Sequence, residues 1–345
     1  MNKKVSLKDV ADSLGVSRAL VSYVLNNKEK EARVGAEMAE KIRKAAAKLN
    51  YQPNLIAKSL KSGKTNTIGL IVADISNPFF SNIARIIEDE ARKQGYVVIF
   101  GSSDERSEVS QELIDVFLNR LVDAFIIAPS EHAEKQVKAL QKRNVPLVLI
   151  DRYFPNIEVD NVHINNFQAA YQAVDHLIKN GRSKIAMVAY NNNLTHMQDR
   201  KDGYKAALKA NGIRFRKEWL LEASYQDIAQ DVNKEMARIL KPELKVDALF
   251  FATNTLAVES LKIINKLGIK VPDELAIISF DESDAFDFFY SPLSYISQSI
   301  EDIGKNAVKL LIDRINNVNK KDHHEVIIEA KLVLRKSCGT NIKNK

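Results

Sequence analysis

Apolar residues over the first fifty positions recur at helical spacing. Val10, Ala11 and Leu14 make one stripe, opened by Ser6-Leu7-Lys8-Asp9, a capping-box pattern in which the Ser6 hydroxyl takes a helix amide and Asp9 reaches back. Gly15 stands where a left-handed residue ends such a helix, and Ser17 is placed to cap the next one. In that second helix Leu20, Val21, Val24 and Leu25 face inward, leaving Arg18, Ala19, Ser22, Tyr23 and Asn26 outside. A third helical pattern over 36–50 carries Met38, Ile42, Ala45, Ala46 and Leu49. Two short helices joined by a tight Gly turn and closed by a third can present the second helix's polar face to a DNA major groove.

The pattern changes at Tyr51-Gln52-Pro53-Asn54, because the residue before a proline disfavours the α region. Asn54 can cap one further short helix over 55–61, with Leu55, Ile56, Ala57 and Leu60, ending at Ser62-Gly63. Such a helix is too short to persist alone, so it needs its twin in a dimer or nucleic acid. The following Gly63-Lys64-Thr65 ends like a Walker A loop, but Lys58 stands where that loop needs Gly, and the motif precedes a strand instead of following one.

From Thr67 onward, short apolar runs alternate with amphipathic helical stretches. Strands are predicted at 68–73, 97–101, 124–128, 147–151, 185–189, 248–252 and 276–281, with helices at 79–93, 108–121, 168–179, 200–211, 228–240 and 256–267. A second set follows Ser291-Pro292: a strand at 295–298, a helix at 300–316 and a strand at 326–334. This alternation implies right-handed βαβ units on parallel sheets. Its length exceeds what one sheet core needs, so two doubly wound lobes are expected, with 160–166 crossing between them. The domain plan is an all-α helix-turn-helix head (1–50), a hinge helix and linker (51–64) and an α/β core (65–345). Its first lobe covers about 65–165 and 296–325, its second about 166–295 and 326–340.

Charge sharpens this division. The first 64 residues hold 14 Lys and Arg against 6 Asp and Glu, and the remaining 281 hold 37 against 38. A basic head on a balanced body is the footprint of a phosphate-binding module, since each cation that neutralises a phosphate releases counterions.

Several spaced motifs then carry a resemblance: Leu7-Lys8-Asp9-Val10-Ala11, Gly15-Val16-Ser17, Val21-Ser22-Tyr23-Val24-Leu25-Asn26 and Leu49-Asn50-Tyr51-Gln52-Pro53-Asn54. In them the chain resembles the DNA-binding head of the lactose-repressor/galactose-repressor family. The resemblance implies a recognition helix at 17–25 and a hinge helix at 54–61 whose two copies pair in the minor groove. Leu60 matches the leucine that wedges into the central base step. Candidate DNA-binding residues are Ser6, Ser17, Arg18, Ala19, Ser22, Tyr23, Asn26, Tyr51, Asn54, Ala57 and Leu60. Many members carry Arg where Tyr23 stands, so the base read there does not carry over. The loop 27–35 is also longer than usual in such heads.

The body resembles the sugar-binding periplasmic-protein fold that the same family carries, and open parallel sheets bind ligands beyond the carboxyl ends of their strands. Asp74, Asn77, Phe79 and Phe80 follow the first strand, Asp151 and Arg152 the fourth, His196 and Arg200 the fifth, Asn254 the sixth and Asp281 the seventh. The resemblance places Phe79, Phe80, Asp151, Arg152, Arg200, Tyr225 and Asp281 at effector contacts; His196 and Asn254 complete the candidate set. Aromatic faces beside paired hydrogen-bonding charges suit a carbohydrate. Plainer roles stay open, with Phe79 or Phe80 in packing and Asp151 or Asp281 as helix caps. Arg200-Lys201-Asp202-Gly203-Tyr204 fits the family's effector-contact motif.

Catalysis and cofactors find no motif. The chain has no His-Glu-x-x-His, Cys-x-x-Cys or Gly-x-Ser-x-Gly pattern, and no metal site is expected. His323-His324 reads as solvated loop. A nucleotide-dependent enzyme would want a Gly-rich turn after the first strand, where Asp74-Ile75-Ser76-Asn77-Pro78 has none. An exported binding protein would need a signal peptide and leave the basic head unexplained. The single Cys338 permits no intrachain disulfide and fits a reducing compartment. The expectation is a cytoplasmic, homodimeric regulator of transcription, a repressor by resemblance. It would bind near-palindromic double-stranded DNA and a carbohydrate-like effector, with no membrane segment.

Overall fold

The computed structural model describes residues 5–52, 64–317 and 322–339. The chain divides into two compact units, Met1–Thr65 and Asn66–Lys345.

In the first unit, Leu7–Leu14 (α1) opens with the expected reciprocal cap: Ser6 N–H donates to Asp9 at 2.7 Å and Asp9 N–H to the Ser6 hydroxyl at 3.3 Å. Gly15 ends the helix at φ 66, where a side chain would be strained. Ser17 accepts from the Leu20 amide at 3.1 Å and starts Arg18–Leu25 (α2). Ala36–Lys48 (α3) closes a core of Val10, Ala11, Val21, Val24, Ala39, Ile42 and Ala46. The helix stops short of residue 50, since Asn50 takes a left-handed φ of 51. The long loop before it is tied back by a 2.7 Å ion pair between Arg43 and Glu29.

The second unit is built on two six-stranded sheets. The first comprises Thr67–Val72 (β1), Val97–Ser102 (β2), Ala124–Ile127 (β3), Leu147–Ile150 (β4), Asp160–Ile164 (β5) and, much later, Glu325–Ile328 (β11). Its order is β11-β5-β4-β3-β1-β2, parallel throughout. Pro78–Lys93 (α4), Ser107–Asn119 (α5), Glu134–Lys142 (α6) and Ile300–Asn316 (α12) flank it, and α12 packs on α4, β3, β4 and β5. The second sheet comprises Ile185–Tyr190 (β6), Leu220–Ala223 (β7), Ala248–Phe251 (β8), Ala276–Phe280 (β9), Ser294–Gln298 (β10) and Ala330–Val333 (β12). Its order, β12-β10-β9-β8-β6-β7, repeats the first sheet's, with only β12 antiparallel. Around it lie Asn166–Lys179 (α7), Thr195–Ala210 (α8), Ile228–Ile239 (α9), Asn254–Leu267 (α10) and the short Ala285–Phe288 (α11). Among the described residues no helix is long and apolar enough to cross a membrane.

Three expectations are corrected. The segment 160–166 is largely strand β5, buried along its length and paired with both β4 and β11. Its polar residues hid this: Asp160 is buried because Arg314 grips both its oxygens at 2.8 Å, and His163 because Glu325 meets its Nε2 at 2.9 Å. The chain therefore crosses at Asn165. The single strand expected over 326–334 is two, β11 and β12, which join different sheets on either side of Glu329. The lobe boundaries drawn at 296 and 326 accordingly move to the ends of β10 and β11. Strand β7 and helix α6, both short, were not among the predicted elements.

One close approach matters for the site. A Cβ on Gly203 of α8 would lie 2.3 Å from the Phe167 carbonyl oxygen and 3.0 Å from the Ala170 Cβ, so only glycine lets α8 lie against α7 at this spacing.

Candidate functional site

Between the carboxyl ends of the two sheets lies a cavity lined from both lobes. Asp151 and Asp281 enter it from equivalent places, one residue beyond β4 and β9. Both adopt φ 64, and both donate a backbone N–H to the neighbouring strand, Asp151 to Val162 O at 2.9 Å and Asp281 to Ile296 O at 3.0 Å. Neither caps a helix, which closes that alternative. A left-handed non-glycine residue costs roughly 1 kcal/mol or more, and the strand pairing holds each in it. Burial pushes both carboxyls above the ordinary carboxylate value, with Arg200 opposing the rise in each case. Asp281 also accepts from Gln298 Nε2 at 2.5 Å.

Arg200, one of the largest fully buried side chains, is fixed from three sides. Nε donates to Asn166 Oδ1 at 2.8 Å, Nη1 to Ala252 O at 2.7 Å, and the guanidinium stacks 3.6 Å over the Phe280 ring. Burial lowers its pKa, while Asp281 and Asp151 oppose that. Its bonds go to neutral acceptors, so the charge is balanced by the two aspartates across the cavity. Arg152 is held differently: Glu105 grips it with two 2.6 Å bonds and Asp151 accepts from Nε at 3.1 Å.

Phe79 and Phe80 begin α4, whose first turn is set by Asn77 accepting from the Phe79 amide at 3.0 Å and by Pro78. Their rings meet edge to face at 5.0 Å and both line the cavity while packing into the main core, so lining and packing are one placement. His196 at the start of α8 is buried; its Nδ1 has no hydrogen-bond partner among the described residues, and burial holds its pKa well below 6.5. Tyr225 lines the opposite wall 5.9 Å from Tyr190, and burial, then Asp74, raise its pKa.

The cavity thus gathers Phe79, Phe80, Asp151, Arg152, His196, Arg200, Tyr225 and Asp281. Asn254 stands outside the lining: its Nδ2 donates to Asn77 Oδ1 at 3.2 Å, joining the lobes at the rim. Three more bonds cross between the lobes: Asn77 Nδ2 to the Thr255 hydroxyl at 3.5 Å, Asn193 N–H to Glu131 at 2.9 Å and the Thr195 hydroxyl to Tyr153 O at 2.6 Å. Sequence reasoning did not select Asp74, Asn77, Glu105, Tyr190, Thr253 and Gln298, which also line the cavity. Asp74 and Asn77 follow the first strand and were within reach; Tyr190 and Gln298 end strands whose apolar pattern drew attention to the core.

In the head, Arg18, Ala19, Asn26 and Tyr23 (43% exposed) form the open face of α2, with Ser22 half-buried beside them. Asn26 Nδ2 donates to Ser22 O at 2.7 Å. The hydroxyls of Ser6 and Ser17 are engaged in capping, and Tyr51 packs half-buried on the three-helix core. Asn54, Ala57 and Leu60, with the rest of 53–63, lie outside the described residues.

Residues 6–54 match the model of bacterial regulatory proteins of the lacI family, and residues 174–338 match the periplasmic binding protein-like domain. The transcriptional repressor PurR of Histophilus somni is 30% identical over 337 residues, covering 97% of this chain and 99% of that one. A lacI-family regulator from Enterococcus faecium with bound ribose superposes with a TM-score of 0.69 at 30% identity, covering 79% of this chain and 98% of its own. The lac repressor dimer bound to operator, at 23% identity, shares the fold with a TM-score of 0.85 over 97% of this chain and 99% of its own. The head, the paired lobes and the relatives agree: the chain belongs to the lacI family of bacterial regulatory proteins.

Proposed function

We propose that this protein is a sequence-specific repressor of transcription whose affinity for a near-palindromic operator is set by a carbohydrate-like effector held between the lobes. The observation that carries the reading is the convergence of Arg200, Asp281 and Asp151 on one buried cavity closed by bonds between lobes, in a chain whose head exposes a recognition face. Arg200 and Asp281 supply the fork and the acceptor for hydroxyls, Asp151 and His196 further polar contacts, and Phe79, Phe80 and Tyr225 the apolar faces. Arg152 braces the wall and Asn254 acts at the rim. Arg18, Ala19, Ser22, Tyr23 and Asn26 read base edges, Ser6, Ser17 and Tyr51 position the phosphates, and Asn54, Ala57 and Leu60 work in the minor groove.

Ligand acts by its differential affinity for two lobe arrangements, the only route by which an effector can shift DNA affinity. The protein works by binding and not by catalysis, in the cytoplasm, as a homodimer. Edge strand β2 supports the dimer, because Val97 and Phe100 stand 65% and 61% exposed on it. The ribose bound in the Enterococcus regulator supports the ligand class.

Selection of duplexes from a randomised pool by the full-length chain tests this, followed by anisotropy titration of the enriched duplex with neutral monosaccharides. Near-palindromic enrichment and a sugar-dependent affinity are expected. A pool that stays random would remove the regulator reading.

A further inference from the structure

Arg152 faces the cavity, yet its charge is already taken. Glu105 occupies Nη1 and Nη2 at 2.6 Å each, Asp151 takes Nε at 3.1 Å, and the Pro129 carbonyl accepts from Nη1 at 3.3 Å. A guanidinium offers five N–H groups in a rigid fork, and its paired face is what clamps a phosphate or carboxylate bidentately. Here Glu105 fills that face. Burial alone would lower the Arg152 pKa; the Glu105 carboxylate outweighs it and holds the group charged.

The backbone is bent to place Glu105 there. Asp104 and Glu105 are consecutive non-glycine residues at φ 50 and φ 57, a pairing of left-handed residues that sterics disfavour at each position. Glu105 N–H is anchored to Ala73 O at 3.0 Å and Arg106 N–H to Ser103 O at 2.9 Å. The turn lies directly after β2, and its carboxylate reaches across to the end of β4.

Around the cavity Asp74, Glu105, Asp151 and Asp281 face only Arg152 and Arg200, and buried His196 stays neutral. An incoming anion finds the Arg152 fork filled by Glu105 and the carboxyl groups of Asp74, Asp151 and Asp281 around it, in a desolvated space where uncompensated charge is costly. Hydroxyls instead find acceptors in the aspartates and donors in Arg200. We propose that Glu105 is a specificity-determining residue: by occupying the fork of Arg152 it makes the cleft refuse anionic ligands, sugar phosphates and sugar acids included, and accept uncharged polyhydroxylated ones. Discrimination then rests on a repulsive element as well as an attractive one. The proposal deepens the effector reading and rests on it for the sugar, but its account of Arg152 holds whatever neutral ligand the cleft takes.

The test is calorimetry on the full-length chain, E105Q and the E105Q/R152Q double variant, with ribose, ribose 5-phosphate and inorganic phosphate. Wild type is expected to favour the neutral sugar over its ester by at least about tenfold, and E105Q to gain about tenfold or more for phosphate and ester. The gain must vanish in the double variant, which separates the cleft from phosphate bound at the basic head. An ester bound by wild type as tightly as the sugar overturns the proposal. So does an unchanged phosphate affinity in E105Q, or a gain that survives loss of Arg152. If E105Q does not fold, wild type and R152Q decide: equal stabilisation by inorganic phosphate in thermal denaturation is expected, and a larger response in wild type shows an open Arg152 and sinks the idea. Should no sugar bind while E105Q still gains phosphate, the carbohydrate reading falls and the anion block stands.

Discussion

Arg200 and His196 lie one helical turn apart on α8 and answer to different experiments. Arg200→Ala removes the fork aimed at the cavity and leaves Asp281 without its cation, while Asp151 keeps Arg152. Loss of one partner of a desolvated polar contact costs about 2–5 kcal/mol, so calorimetry should show at least that loss of ligand affinity, with operator binding in ligand's absence close to normal. Unchanged ligand affinity would return Arg200 to a structural role. His196 speaks through pH. In the unfolded chain its imidazole takes up a proton below its ordinary 6.5, but the buried folded form resists protonation well below that value. The unfolded state therefore binds more protons, and stability falls as the pH drops through about 6.5. His196→Gln should flatten that acid-side loss in urea titrations from pH 7.5 to 5.5; parallel curves for the two proteins would exclude His196 as its source. Arg200 was legible in the sequence because Arg200-Lys201-Asp202-Gly203-Tyr204 is a motif with a known context. Glu105 was not, since nothing in the turn Ser103-Asp104-Glu105-Arg106 announces two left-handed residues or a partner on a distant strand.

At the scale of elements, the same motif carries its own constraint. Gly203→Ala would drive a methyl into the Phe167 carbonyl, and overpacking of this kind typically costs about 1–3 kcal/mol. The midpoint of urea unfolding should fall, and ligand affinity with it, because Arg200 depends on Asn166 at the start of α7 for its orientation. A variant as stable as wild type would mean that the two helices separate without cost. The hinge segment belongs to the same scale. Leu60→Ala should weaken specific operator binding by at least about tenfold and reduce bending, as expected when a wedge between base steps is lost. Normal bending by the variant would exclude the wedge. Helices and central strands were readable because their periodicity is strong and their apolar runs are bounded. Strand β5 escaped because Asp-Asn-Val-His-Ile looks like a connection until Arg314 and Glu325 supply the partners. Strands β11 and β12 merged because Glu329 alone, with neither Gly nor Pro, marks the passage between sheets.

For the whole molecule, the charge division between head and body becomes a separation of tasks. A chain beginning at Asn66 should stay folded, since the second unit has its own core, and should lose operator binding altogether. The full-length protein should lose operator affinity steeply with salt, in a log–log slope that reflects the phosphates neutralised by the head. Operator binding by the shortened chain would refute the assignment of the head. The sequence order of the strands sets a further condition, on synthesis. The three-helix head is complete once Tyr51 has left the ribosome. The first lobe cannot finish until α12 covers β3, β4 and β5 and β11 fills the edge beside β5, long after the head has emerged. Domains fold as units in the order they emerge, so a stop codon between α12 and β11 would release a finished DNA reader attached to a lobe that cannot close. Mutants of that kind should appear in genetic screens as losses of repression despite an intact DNA-reading head, because the dimer edge at β2 belongs to the lobe that cannot close.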